Sequence, residues 1–173
     1  LSRDALYLRS ASTMSPLHDA CRAGDTERVR QLLDDGAPMD EKNEHGCTAL
    51  MLASMEGHTE VVQLLLDKGA AVDEQDEDGS TALMLASRNG HTQVVKLLLD
   101  KGAAVDEKHE VGWTALMWAS KEGRTEVVKL LLDKGAAVDE KHEVGWTALM
   151  LAVMFVHLEV VQLLLDKGAA VDE

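Results

Sequence analysis

This chain is short of the residues that most often advertise chemistry. Aromatics make up 3% of its 173 residues, so a composition that is 46% apolar has to build its core from Leu, Val, Ala and Met. Lys and Arg number 17 against 31 Asp and Glu, for a net charge of -14. A phosphate-backbone binder needs clustered Lys and Arg, so nucleic acid is not an expected partner. The two cysteines, Cys21 and Cys47, stand in neither a CxxC nor a metal-type spacing. They are expected to be reduced thiols of a cytoplasmic protein. No apolar run reaches the roughly 18 residues of a membrane helix, and no secretory leader is present, so no membrane role is expected. Phosphate loops and nucleophile elbows are missing too. These absences leave little room for an enzyme.

What is present is periodic. Gly46, Gly79, Gly112 and Gly145 lie 33 residues apart, and each opens Gly-x-Thr-Ala-Leu-Met. Each copy continues into Val-Val-x-Leu-Leu-Leu-Asp-Lys-Gly-Ala-Ala-Val-Asp-Glu, at 61–74, 94–107, 127–140 and 160–173. A fixed period of this size marks stacked repeats that contact mainly their neighbours and share one continuous core. The expected division is an extension, 1–9, then units 10–42, 43–75, 76–108, 109–141 and 142–173. In 76–108, Asp76 to Gly79 is turn chemistry and Thr81 caps a helix running to about Asn89. Gly90 ends that helix, Thr92 caps a second one, Gly102 stops it, and 103–108 returns extended. The unit is turn, helix, loop, helix, return.

The run Thr-Ala-Leu-Met-x-Ala-Ser-x-x-Gly-His-Thr-Glu-Val-Val-x-Leu-Leu-Leu-Asp-Lys-Gly-Ala resembles the ankyrin repeat, and Ser15-Pro16-Leu17-His18-Asp19-Ala20 has that family's more usual opening. The resemblance covers about 10–173. It implies an all-α ankyrin-repeat solenoid of helix-loop-helix units with β-turn, hairpin-like fingers. It also implies a noncatalytic protein-protein interaction module with no cofactor and no metal. Units two to five depart from the family pattern where Met51, Met84, Met117 and Met150 replace its histidine. That exchange removes the usual Thr–His hydrogen bonds and leaves flexible apolar filler.

Candidate catalytic and metal groups have plainer readings. His58, His91 and His157 share one position with Arg124, which suits a structural or surface role. His109 and His142 fall on successive turns roughly 10 Å apart, too far to share a zinc at about 2 Å each. The acidic run 73–78 matches no EF-hand spacing and reads as a solvated turn.

The residues that vary while the frame stays fixed are the candidate binding residues. Four of the five aromatics, Trp113, Trp118, Trp146 and Phe155, fall in units four and five. Large aromatics and Met are enriched in interface hot spots. By the ankyrin resemblance, turn tips and first-helix ends line a concave, partner-gripping face. The partner is expected to be a protein or peptide with a basic segment beside an apolar anchor. The anchor would sit near Trp113, Trp146, Met154 and Phe155, with Val111 and Val144 at the tips. Arg88, Lys121 and Glu122 would set register, and Glu44, Asp76, Glu77 and Asp78 would make the groove acidic in units two and three. Trp113 and Trp146 either contact a partner or pack over the next turn, and Trp118, which replaces Leu52, Leu85 and Leu151, reads more readily as core filling.

The two ends differ. Arg28 and Gln31 stand where Val61 and Leu64 recur, as in a solvent-facing cap, whereas Val160 and Leu163 stay apolar. Residues 154–156 and Leu158 are apolar where other units carry a polar loop, a helix-ending glycine and a capping Thr. A homo-oligomer through the last unit is therefore a second expectation. An engineered or consensus-derived binder or scaffold is a third, because 96–117 recurs unchanged at 129–150. In the extension, Leu6, Tyr7 and Leu8 suit a leader packed on the first unit.

Overall fold

The computed structural model describes residues 14–171; the reading of the extension 1–9 lies outside them. Five helix pairs follow one another: α1 (Pro16–Ala23) and α2 (Thr26–Asp34), α3 (Ala49–Glu56) and α4 (Thr59–Asp67), α5 (Ala82–Asn89) and α6 (Thr92–Asp100), α7 (Ala115–Lys121) and α8 (Thr125–Asp133), α9 (Ala148–Met154) and α10 (Leu158–Asp166). Among the described residues there is no strand. First helices pack on first helices and second on second, which makes two helical layers with the core between them.

Local chemistry sets each element. Thr48, Thr81, Thr114 and Thr147 sit extended at the N-caps of α3, α5, α7 and α9, and each hydroxyl accepts the N–H of the Met three residues on at 3.3 Å. Capping of this kind is worth about 1 kcal/mol per helix. The second helices start differently from the sequence expectation. Thr92 is the first helical residue and not the cap; His91 holds the N-cap position without a side-chain capping bond. Leu158 therefore costs α10 no cap.

The caps of the second helices have another task, which is to tie units together. His58 Nε2–H donates to the carbonyl of Arg22 at 2.9 Å, and His91 to that of Met55 at 3.0 Å. His157 donates to the carbonyl of Lys121 at 2.8 Å. Arg124 does the same through Nε, to the carbonyl of Arg88 at 3.1 Å. Each bond satisfies a carbonyl at the C-terminal end of the preceding first helix, where intrahelical partners run out. Unit one instead places Asp25 there, whose carboxylate accepts from the N–H of Arg28 at 3.0 Å.

Charged frame residues stitch the same seams. Lys68, Lys101, Lys134 and Lys167 reach back to Asp34, Asp67, Asp100 and Asp133 at 2.6 to 2.9 Å. Asp40, Asp73, Asp106 and Asp139 accept N–H groups of Ala71, Ala104, Ala137 and Ala170 at 2.9 to 3.0 Å. The fingers of units two to five join too, by one backbone bond at each of their three seams: Glu77 N–H to His45 O, Glu110 to Asp78 and Glu143 to Val111, at 3.0 to 3.2 Å.

The histidine missing from units two to five is present once and works as a local brace. His18 is buried, bonded through Nδ1 to the Ser15 hydroxyl at 2.7 Å and through Nε2 to the Glu41 carbonyl at 3.0 Å. Met51, Met84 and Met117 fill its place and are buried; Met150 is half-buried.

Candidate functional site

Finger and first helix together present one surface, and the variant residues of units three to five meet on it. Trp113 leaves the fourth finger and lies 4.3 Å, centroid to centroid, from Trp118 of α7, with the rings tilted by 34°. His142 of the fifth finger stacks on Trp113 at 5.4 Å and 7°, and His109 meets Trp118 edge-on at 6.4 Å. The Arg88 guanidinium, at the end of α5, sits 5.0 Å over Trp118. Lys121, at the end of α7, holds its ammonium 5.3 Å from Trp118, 5.8 Å from Trp113 and 5.7 Å from Phe155. Glu122 approaches that ammonium at 3.4 Å. Rings and cations spaced this way attract through the ring quadrupole, by roughly 0.5–1 kcal/mol each when exposed.

Trp118 meets its expected role as core filler only in part. Leu52, Leu85 and Leu151 at its position are buried, but the indole is half-buried, packed on the core at one side and on Trp113, Arg88 and Lys121 at the other. An indole is too large for a leucine slot and its excess emerges on the surface. Trp146 repeats the position of Trp113 one unit later and is half-buried against the core. Met154 and Phe155 are exposed, as are Val111 and Val144 at the finger tips.

The acidic stretch divides into separate roles. Asp76 is buried, and its carboxylate accepts the N–H groups of Asp78 and Ser80 at 3.0 and 2.8 Å. It closes the finger and is not offered to a partner, contrary to the sequence expectation. Asn43 does the same for His45 and Cys47. His142 Nδ1 takes over that role by accepting from Val144 N–H at 3.1 Å. Glu44 and Glu77 remain exposed, and Asp78 is half-buried.

The end of unit five is apolar through 154–156 and Leu158, as the sequence suggests, but not through Val160. Val160 is buried even there, so that position faces inward or toward the preceding unit. The exposed apolar residues are Val153, Met154, Phe155, Val156, Leu158 and Leu165. Ser120, equivalent to Val153, is buried, as is Leu132, equivalent to Leu165, so both positions are covered at an interior seam. Val156 is the only non-glycine with positive φ among the described residues, at 62°. It stands where Gly24, Gly57, Gly90 and Gly123 end the other first helices. A Cβ on Gly24 would fall 2.6 Å from the His58 imidazole, and one on Gly123 2.5 Å from that of His157. Val156 carries that Cβ, so a histidine stacked there in the same register would have to turn its imidazole aside.

Among the described residues, no three His, Cys, Asp or Glu side chains group as a metal would require. Cys21 and Cys47 are free and buried, and burial pushes both thiols up to about 12, with Asp76, Asp78 and Glu77 adding to the effect at Cys47. Thiols held neutral in this way are poor nucleophiles. No helix among the described residues is long and apolar enough to cross a membrane.

Stacked helix pairs, one continuous core and finger-to-finger bonds make this an α-solenoid repeat protein. The chain belongs to the ankyrin repeat family: the family model for ankyrin repeats (3 copies) matches residues 17–109, 70–142 and 104–173. Comparison with curated protein sequences gives no match. Ankyrin repeats generally mediate protein-protein interaction and are typically noncatalytic.

Proposed function

We propose that this array recognises a protein or peptide on the surface formed by its fingers and first-helix ends, with units three to five as the anchor. The observation that carries this reading is the cluster of Arg88, Trp113, Trp118, Lys121 and Phe155. It draws on three successive units, and every member occupies a position where the frame itself changes. Frame residues are held by the bonds between units, whereas these side chains keep half-exposed aromatic and cationic surface. Half-exposed Trp beside Arg is the composition of interface hot spots. Glu44, Glu77 and Asp78 lie toward the other end of the same surface, so the partner has a basic segment leading into an apolar or aromatic anchor. The net charge of -14 steers such a segment inward and makes association faster at low salt.

Trp146→Ala with Phe155→Ala tests the reading. Affinity capture followed by mass spectrometry identifies the partner, and titration calorimetry measures it directly. The double variant is expected to bind at least about ten-fold more weakly at unchanged helix content, since truncated hot-spot aromatics cost about 2 kcal/mol or more. Undiminished affinity would overturn the reading.

A second reading is self-association through the end of unit five. It is favoured by the exposure of Val153, Val156 and Leu158, at 57%, 73% and 73%. Sedimentation velocity across a hundred-fold concentration range tests it, and a constant monomer would remove it. An engineered or consensus-derived origin remains a proposal resting on the 96–117 and 129–150 identity alone.

A further inference from the structure

The ammonium of Lys121 already lies among three aromatic rings. Its nitrogen is 5.3, 5.7 and 5.8 Å from the centroids of Trp118, Phe155 and Trp113, and Glu122 stands beside it at 3.4 Å. All three distances fall in the outer part of the roughly 6 Å range over which a cation is held by a ring. Such spacing leaves room between nitrogen and rings for N-methyl groups. The rings come from the fourth finger, α7 and the residue ending α9, so two adjacent units form the walls. Phe155 is 43% exposed and the Lys121 side chain 29%, so the enclosure is open on one side.

We propose that Trp113, Trp118 and Phe155 form a cage for a methylated lysine of the partner polypeptide, and that Lys121 is its resident plug. The proposal rests on the recognition surface described above and names its anchor. Lys121 shows where a cation sits among all three rings, while the Arg88 guanidinium lies 5.0 Å over Trp118 alone. Lys121 also sets what can displace it. An ordinary lysine brings the same ammonium with the same strong hydration, and it competes against a side chain tethered in place at high effective concentration. A trimethylated ammonium keeps its charge, is less hydrated, and meets the rings through its methyl groups, so exchange favours it. Lys121 then swings to solvent, within reach of Glu122. The Glu122 carboxylate and the acidic charge of the chain suit a cationic ligand. Two walls, Trp118 and Phe155, are exceptions to the repeat, and Trp113 is shared only with Trp146; Ser80, Leu85 and Asn89 stand one or two units earlier where Trp113, Trp118 and Phe155 close the cage.

Short synthetic peptides that carry a single trimethyllysine, lysine, arginine or the neutral tert-butyl isostere of trimethyllysine test this with the full chain. Binding is read by tryptophan fluorescence and calorimetry. The trimethyllysine peptide is expected to bind about ten-fold tighter than its neutral isostere and than the lysine peptide. Lys121→Ala should tighten it by about three-fold or more, because the plug is gone. Trp118→Leu, which restores the residue of the other units, should abolish the discrimination while the array stays folded. Equal binding of the neutral isostere, a tighter arginine peptide, or a Lys121→Ala variant that binds no better would each overturn the cage. Choline binding as tightly as the peptide would assign the rings to a small quaternary amine, which also overturns it. If any of these occurs while the captured partner is still lost on Trp146→Ala with Phe155→Ala, the cage fails and the recognition surface stands. Undiminished partner binding in that double variant removes the surface itself.

Discussion

Val156 concentrates the residue-scale physics of this molecule. Its φ of 62° places a β-branched side chain in the left-handed region, which disfavours any residue with a Cβ by roughly 1–2 kcal/mol. The turn holds it there regardless, because Val156 N–H still reaches the Val153 carbonyl at 3.1 Å and His157 N–H the Ala152 carbonyl at 2.9 Å. Val156→Gly should stabilise the array by about 1 kcal/mol, the strain relieved less the extra chain entropy of glycine. Chemical denaturation checks it, and a destabilised variant would show that the exposed valine makes contacts worth more than its strain. Ser54, Ser87 and Ser120 show a different economy at the same seams. Their hydroxyl oxygens are buried without a partner, so small size is what the packing between first helices selects.

At the scale of elements, the staple from each second helix to the preceding first helix explains why His and Arg interchange. Both offer an N–H at the reach required, and both lie over the glycine before them. His58→Ala should destabilise the chain by about 1–2 kcal/mol by orphaning the Arg22 carbonyl. His58→Arg should retain most of that stability, and urea unfolding of the pair compares them. The helices themselves were legible in the sequence, since Thr caps, stop glycines and the Leu-rich second-helix face all act locally. Thr92 was misplaced by one residue because its neighbour His91 takes the cap position while its side chain bonds to the unit before, a contact 36 residues away that no local pattern reveals. Asp76 reads as surface charge for a different reason. Its partners are backbone N–H groups of its own finger, invisible in composition. The cluster around Lys121 was readable only as scattered exceptions at 88, 113, 118, 121 and 155; that they converge depends on how three units stack.

For the whole molecule, the repeated Asp and Lys form a ladder of ion pairs that crosses every seam. The hydrogen bond from Lys68 to Asp34 and the attraction of its charge hold that carboxyl below its usual range, and Lys101, Lys134 and Lys167 do likewise for Asp67, Asp100 and Asp133. A carboxyl whose pKa is lowered by folding stabilises the folded state above its unfolded value of about 3.9 and gives that stability up as pH falls through the folded value. Melting temperature should therefore decline with acidification below about pH 4. Exchanging all four lysines for Met should flatten that decline, and thermal melts from pH 5 to pH 2 check it. The ladder is solvent-exposed, so salt should weaken it.

Repetition thus secures the fold, and departures from repetition form the proposed recognition surface. Trp113→Ser, Trp118→Leu and Phe155→Glu together return those positions to residues of other units, with the frame untouched. The deciding measurement is calorimetric affinity of this triple variant for the captured partner, with its thermal melt alongside. Affinity should fall at least about ten-fold while the melting temperature stays within a few degrees of the parent. A triple variant that binds its partner as tightly as the parent would contradict the account.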